Sequence, residues 1–284
     1  MDKQVILAVA GAGKTYHICH SLDPRKSNLI LAYTNENIHN IRNELCNAYG
    51  NIPNATTVMT FDSFVYHNII LPYKPSIGAF FNEPGFKSSG ICTVDPPKRL
   101  ASGTGKPNPK YIPKDRLRHY VTQRWLYYCA TLSELALQVT NDSKSLIIRS
   151  AQRLNLFYDY IMIDEFQDFR EYDYELIMSL SKKLNHVLLV GDYYQHSVSA
   201  TNNSGKPFRS RQGDVSYSDF VNIIKNQGFN VDVEALKKSR RCSLPVCGLS
   251  VKNCVLALLR MIIMMVRLFG RMILLRKFLK MIRS

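Results

Sequence analysis

The 284-residue chain is poor in acid, with 22 Asp and Glu against 37 Lys and Arg, has a single tryptophan, and has no C-x-x-C pair among its seven cysteines. The odd thiol count and the missing pairs exclude a secreted disulfide framework and offer no zinc-site spacing, so the cysteines read as reduced thiols of a cytoplasmic protein. No stretch reaches about 20 apolar residues with few charges, which excludes a stable membrane span. The opening residues lack the basic region and cleavage site of a signal peptide, and Val5 to Ala10 reads as a buried first strand. What is present is a globular composition, 46% hydrophobic and 21% charged, in a chain long enough for one large domain or two modest ones. The net charge of +15 favours a polyanionic partner, nucleic acid or an anionic membrane face. Eight of those basic residues, with no acid among them, fall between Cys247 and Ser284, leaving +7 for the rest.

Apolar runs of strand length alternate with helix-like stretches over 4–10, 14–22, 28–33, 36–48, 56–60 and 62–70, the pattern of a parallel α/β sheet. The near-continuous apolar runs 4–10, 29–33, 160–163 and 187–190 suit strands covered on both faces, and are expected at the centre of the sheet. Between Pro72 and Asp115 the pattern breaks: eight of the twelve prolines lie here with five glycines. Helical spacing resumes over Arg116–Thr140 and Lys144–Phe157, so residues 72–157 read as a loop-rich, helical insertion between two parts of one domain, 1–71 and 158–246. Seven Lys or Arg interleave with Tyr73, Phe80, Phe81, Phe86 and Tyr111 in the insertion, which suits single-stranded nucleic acid as well as it suits a solvated loop.

Ala10-Gly11-Ala12-Gly13-Lys14-Thr15 follows the first strand and opens a helix, the context that a phosphate loop requires. Gly11 and Gly13 let backbone amides curl around phosphate oxygens, Lys14 reaches the β and γ phosphates, and the Thr15 hydroxyl faces Mg2+. Gly103-Thr104-Gly105-Lys106 looks similar, but it sits among prolines with no strand before it and reads as a loop. The apolar run ending at Ile163 delivers two carboxylates: Asp164 to hold hydrated magnesium, and Glu165 to orient or deprotonate a water.

Asp164-Glu165-Phe166-Gln167-Asp168 resembles the D-E-[FAY]-Q-D motif of UvrD/Rep-type superfamily 1 DNA helicases. Leu29–Asn35 is similar to that family's motif Ia, Thr60-Phe61-Asp62-Ser63-Phe64 to its T-[FI]-H-S-F segment, Val190–Gln195 to motif III and Leu236–Ser243 to the L-x-x-N-Y-R-S element of motif IV. The resemblance spans residues 4–246 and implies a RecA-like P-loop NTPase domain that binds ATP and Mg2+ and couples hydrolysis to 3′-to-5′ movement on single-stranded DNA. It further implies Gln195 as sensor of the γ phosphate, Arg241 as an arginine finger of the second motor domain, and Thr34, Asn35, Thr60 and Phe61 along the DNA path. Arg240 stands where relatives carry an adenine-stacking aromatic, Asp62 replaces a histidine, and His196 to Ala200 replaces the usual aromatic and arginine.

Nothing after Ser243 resembles motifs V or VI, so the second motor domain is expected to be missing from this chain, a partner protein being the other possibility, with ATP binding, weak hydrolysis and no unwinding as the outcome. The tail 247–284 is apolar but cut by arginine every four to seven residues. It reads as a cationic helix lying on a membrane, as a basic helix packed on a partner, or as the product of a shifted reading frame. In support of the last, the codons of Met261–Val266 read two nucleotides later give a polar loop. The rival to the enzyme reading is a catalytically idle module that binds nucleic acid or a membrane surface.

Overall fold

The computed structural model describes residues 2–100, 105–141, 144–195, 206–210 and 213–236, all within one compact unit, 1–238. Six parallel strands make the central sheet: β1 (Asp2–Leu7), β2 (Asn28–Ala32), β3 (Thr56–Thr60), β4 (Tyr160–Asp164), β5 (His186–Gly191) and β6 (Asn230–Asp232). Their order is β6-β1-β5-β4-β2-β3. The four apolar runs expected at the centre occupy the four inner positions. β1 stops at Leu7, three residues earlier than its apolar run. The Ala8 amide still bonds the Gly191 carbonyl at 2.9 Å, after which Ala12 N–H bonds back to Val9 and turns the chain.

Each central strand feeds two cores, because side chains of period two point to opposite faces. Ile6, Ile30, Met162 and Val190 pack beneath Ile18 and Cys19 of α1 (Lys14–Ser21) and Ile38, Ile41 and Leu45 of α2 (Asn35–Tyr49). Val5, Leu7, Leu29, Leu31, Ile161, Ile163 and Leu189 face the other side. There they meet Leu135 and Ala136 of α3 (Leu132–Gln138), Ala151 and Leu154 of α4 (Leu146–Phe157), Leu176, Ile177 and Leu180 of α5 (Glu171–Ser181), and Phe220 and Ile224 of α6 (Tyr217–Asn226). The α2 N-terminus is capped by Thr34, whose hydroxyl accepts from Asn37 N–H at 3.1 Å, and its C-terminus by Gly50 in the left-handed region. A helical stretch from Phe61 to Phe80 leaves β3, passing through a π-helical turn, Val65–Ile70, and a 3-10 turn, Leu71–Tyr73.

Within 72–157, Ile77, Phe86, Leu117, Tyr120 and Tyr127 join the same core as Phe61 and Leu31. The helical spacing of Arg116–Thr140 does not become one helix. Residues Leu117–His119 form a 3-10 turn, Leu126–Tyr128 a short strand paired with Gly90–Cys92, and only Leu132–Gln138 an α-helix. The cause is a tight turn at Thr122–Leu126. Thr122 N–H bonds Leu126 O, the Thr122 hydroxyl accepts from Leu126 N–H, and Trp125 takes a positive φ of 62° under the Arg118 guanidinium, 3.6 Å from its ring centre. Long-range burial of Tyr120 and Tyr127 overrides the local periodicity here. Among the described residues no helix is long and apolar enough to cross a membrane. The 247–284 tail lies outside the described residues, as do Gly103 and Thr104 of the Gly103–Lys106 loop.

Candidate phosphate site

All the sequence-selected residues that the structure describes gather at the carboxyl ends of the parallel strands, the edge at which open α/β sheets bind ligands. After β1, Gly11 and Gly13 adopt φ of 76° and 88°, the left-handed region in which a Cβ is strained. Gly13 serves as N-cap of α1 without a side-chain cap, so the first-turn amides of that helix face the loop. Ala12 and Lys14 are buried, while Val9 and Ala10 are exposed.

β4 brings the carboxylates to this loop. The Thr15 hydroxyl donates to Asp164 Oδ2 at 2.7 Å, a contact across 149 residues, and Lys14 Nζ lies 3.5 Å from Glu165 Oε2. Asp164 is 1% exposed, and its other oxygen accepts the Glu165 N–H at 3.0 Å. Burial, followed by the charge of Glu165, pushes the Asp164 carboxyl up to about 6, against the pull of Thr15, Lys14 and the Glu165 amide. A cation beside Asp164 would favour its ionised form. Among the described residues no cluster of three or more His, Cys, Asp or Glu exists to cage a metal. One carboxylate and one hydroxyl that leave the remaining positions to water and phosphate oxygens fit Mg2+, which is seldom held by an all-protein cage. Glu165 itself sits at φ 53°, ψ 47°, a left-handed conformation that costs a non-glycine residue about 1–2 kcal/mol, and it begins a 3-10 turn, Phe166–Asp168.

Two residues to which the sequence assigned no role complete the site. Gln167, 2% exposed, donates from Nε2 to Glu165 Oε2 at 2.6 Å, and its Oε1 accepts the Asp192 N–H at 2.9 Å. The same Nε2 lies 3.5 Å from Gln195 Oε1. Asp192, buried just past β5, accepts the Tyr194 N–H at 2.9 Å on Oδ1, shaping the 3-10 turn Tyr193–Gln195. The glutamine of the D-E-F-Q-D run is visible in sequence, but two of its partners, the Asp192 amide and Gln195, lie past β5.

Thr34 and Asn35 are exposed past β2, and Thr60 ends β3, where its hydroxyl accepts the Ser63 N–H. Phe61 is different: fully buried, it packs on Phe169 with ring centres 4.4 Å apart, so its ring presents no face to a nucleic acid. Asp62 pairs with Arg170, which also binds Asp173 at 2.6 Å and lies 5.4 Å over the Tyr33 ring. Arg241 lies outside the described residues.

The sequence profile of the AAA domain family matches residues 2–201, a span that contains the loop, the two carboxylates, Gln167 and Gln195. No curated protein matches the chain. This domain type is found in UvrD/Rep-like helicases and in other P-loop NTPases. With more than two thirds of its length matched, and with the phosphate loop hydrogen-bonded to the carboxylate at the end of β4, the chain belongs to the AAA domain family of nucleotide-binding P-loop proteins.

Proposed function

We propose that this domain binds ATP with Mg2+ and hydrolyses it weakly, the reaction that UvrD/Rep-type helicases couple to movement on single-stranded DNA through a second motor domain, with residues 72–157 as its insertion subdomain. The observation that carries this reading is the pair of contacts Thr15–Asp164, 2.7 Å, and Lys14–Glu165, 3.5 Å, which joins the loop to two carboxylates of different character. The loop amides and Lys14 hold the triphosphate, and Lys14 offsets charge on the β and γ oxygens. Asp164 and Thr15 hold the Mg2+, which supplies further neutralisation of phosphate charge. Glu165 accepts a proton from water as the water oxygen bonds to the γ phosphorus and the bridging P–O bond breaks towards ADP. Gln195 reads the γ phosphate, and Arg241 acts as an arginine finger only where a second motor domain positions it. Thr34, Asn35 and Thr60, on the neighbouring strand ends, line the DNA path, and the excess of basic residues holds its phosphates.

Phosphate release with and without a single-stranded oligonucleotide tests this. Turnover is expected to rise with DNA and to fall about 100-fold or more in both Lys14→Ala and Glu165→Gln, with Mg-nucleotide binding lost only in the first. An intact, folded chain with no turnover, or turnover indifferent to both substitutions, would refute the reading.

A further inference from the structure

Gln167 is buried beside the carboxylates and hydrogen-bonded on both ends of its amide. Its Oε1 is fixed by the Asp192 amide, and the chain at Gly191 approaches so closely that a Cβ there would lie 2.6 Å from that same oxygen and 2.6 Å from the Phe166 ring. With its acceptor side held, the amide sets its Nε2 2.6 Å from Glu165 Oε2. Two donors therefore face Glu165 Oε2: Lys14 at 3.5 Å and Gln167 at 2.6 Å. Their demands differ. A triphosphate in the loop draws the Lys14 ammonium towards its own oxygens, whereas a neutral amide held by backbone and packing stays where it is. The same amide reaches across to the 3-10 turn that carries Gln195.

We propose that Gln167 is a positioning residue that keeps the Glu165 carboxylate aimed once Lys14 is engaged by phosphate, and that ties this carboxylate to the turn bearing Gln195. The assignment rests on the proposed hydrolysis. It requires no contact between Gln167 and the reacting atoms. Its signature is a loss in the chemical step with nucleotide capture preserved, because the loop, Lys14 and the Thr15–Asp164 pair remain intact.

Two variants separate positioning from packing. Gln167→Glu keeps the shape and the acceptor for the Asp192 N–H and replaces the donor to Glu165 by a like charge. Gln167→Met keeps the bulk and removes both hydrogen bonds. Steady-state phosphate release at about pH 8 is expected to show kcat reduced about 30-fold or more in Gln167→Glu and about 10-fold or more in Gln167→Met, with KM for MgATP within about threefold of the unaltered chain in each. Thermal midpoints record folding, and where only one variant folds, that variant is decisive. A folded variant with kcat within about twofold of the unaltered chain overturns the assignment alone. Unfolding of both variants overturns it in favour of a purely structural role. Absence of turnover in the unaltered chain overturns the proposed function and this assignment together.

Discussion

Asp164 has the least favourable setting of any charge in the site, being 1% exposed and next to a second carboxylate. Its folded-state value of about 6 lies above the ordinary 3.8, so the folded chain holds the proton more tightly than the unfolded chain does. Its contribution to stability is therefore greatest below about pH 4, declines as the pH rises to about 6 and is level above that. Asp164→Asn, melted in nucleotide-free buffer, is expected to gain about 1–3 kcal/mol over the unaltered chain at pH 8 and little at pH 4. An equal effect at both pH values would contradict the buried-charge account. At this scale the loop residues and the Asp164-Glu165 pair were legible in sequence, because each is fixed by its own strand and turn. Gln167 was not, since what gives it meaning is an amide 25 residues away, just past the neighbouring strand β5. The fully buried Phe61 shows the converse: a motif position was legible, but its burial depends on Phe169 from a distant turn.

Between elements, Arg170 joins the start of α5 to the helical stretch after β3 and to the end of β2. It binds Asp173 and Asp62 and stacks over Tyr33, while the Ser133 hydroxyl of α3 donates to Asp173 at 2.5 Å. Burial raises the Asp62 carboxyl above its ordinary range, and the Arg170 charge opposes that rise. Removing the guanidinium strands two carboxylates with little access to water. Arg170→Met is expected to lower unfolding free energy by about 3–5 kcal/mol in urea titration, and Arg170→Met combined with Asp62→Asn and Asp173→Asn should recover part of it. A loss below about 1 kcal/mol in the single variant would mean that the cluster is solvated rather than structural. The five strands β1 to β5 and the helices α1, α2 and α4 were readable from apolar runs and periodicity, whereas the short edge strand β6 and the helix α5 were not. Residues 116–140 were misread because a turn closed by Thr122 and a left-handed Trp125 can hide inside a sequence with helical spacing. Local pattern does not record that Tyr120 and Tyr127 are to share a core with Phe86 and Tyr66.

For the whole molecule the governing quantity is charge, 37 cations against 22 acids. If single-stranded DNA is the polyanion, binding releases counterions, with a log–log salt slope of about −0.7 per phosphate neutralised. Fluorescence anisotropy with a labelled oligonucleotide should therefore show affinity falling about tenfold or more between 50 and 200 mM salt. Affinity indifferent to salt would place recognition elsewhere.

Of the six strands, β1 is the earliest in the chain, yet the two that flank it, β5 and β6, begin at His186 and Asn230. A ribosome adding about 5–20 residues per second leaves Val5, Ile6 and Leu7 without lateral partners for on the order of ten seconds or longer. Throughout that interval the loop beyond them has no scaffold to hold its curl. The loop thus gains its lateral support only once the chain near residue 190 has been made.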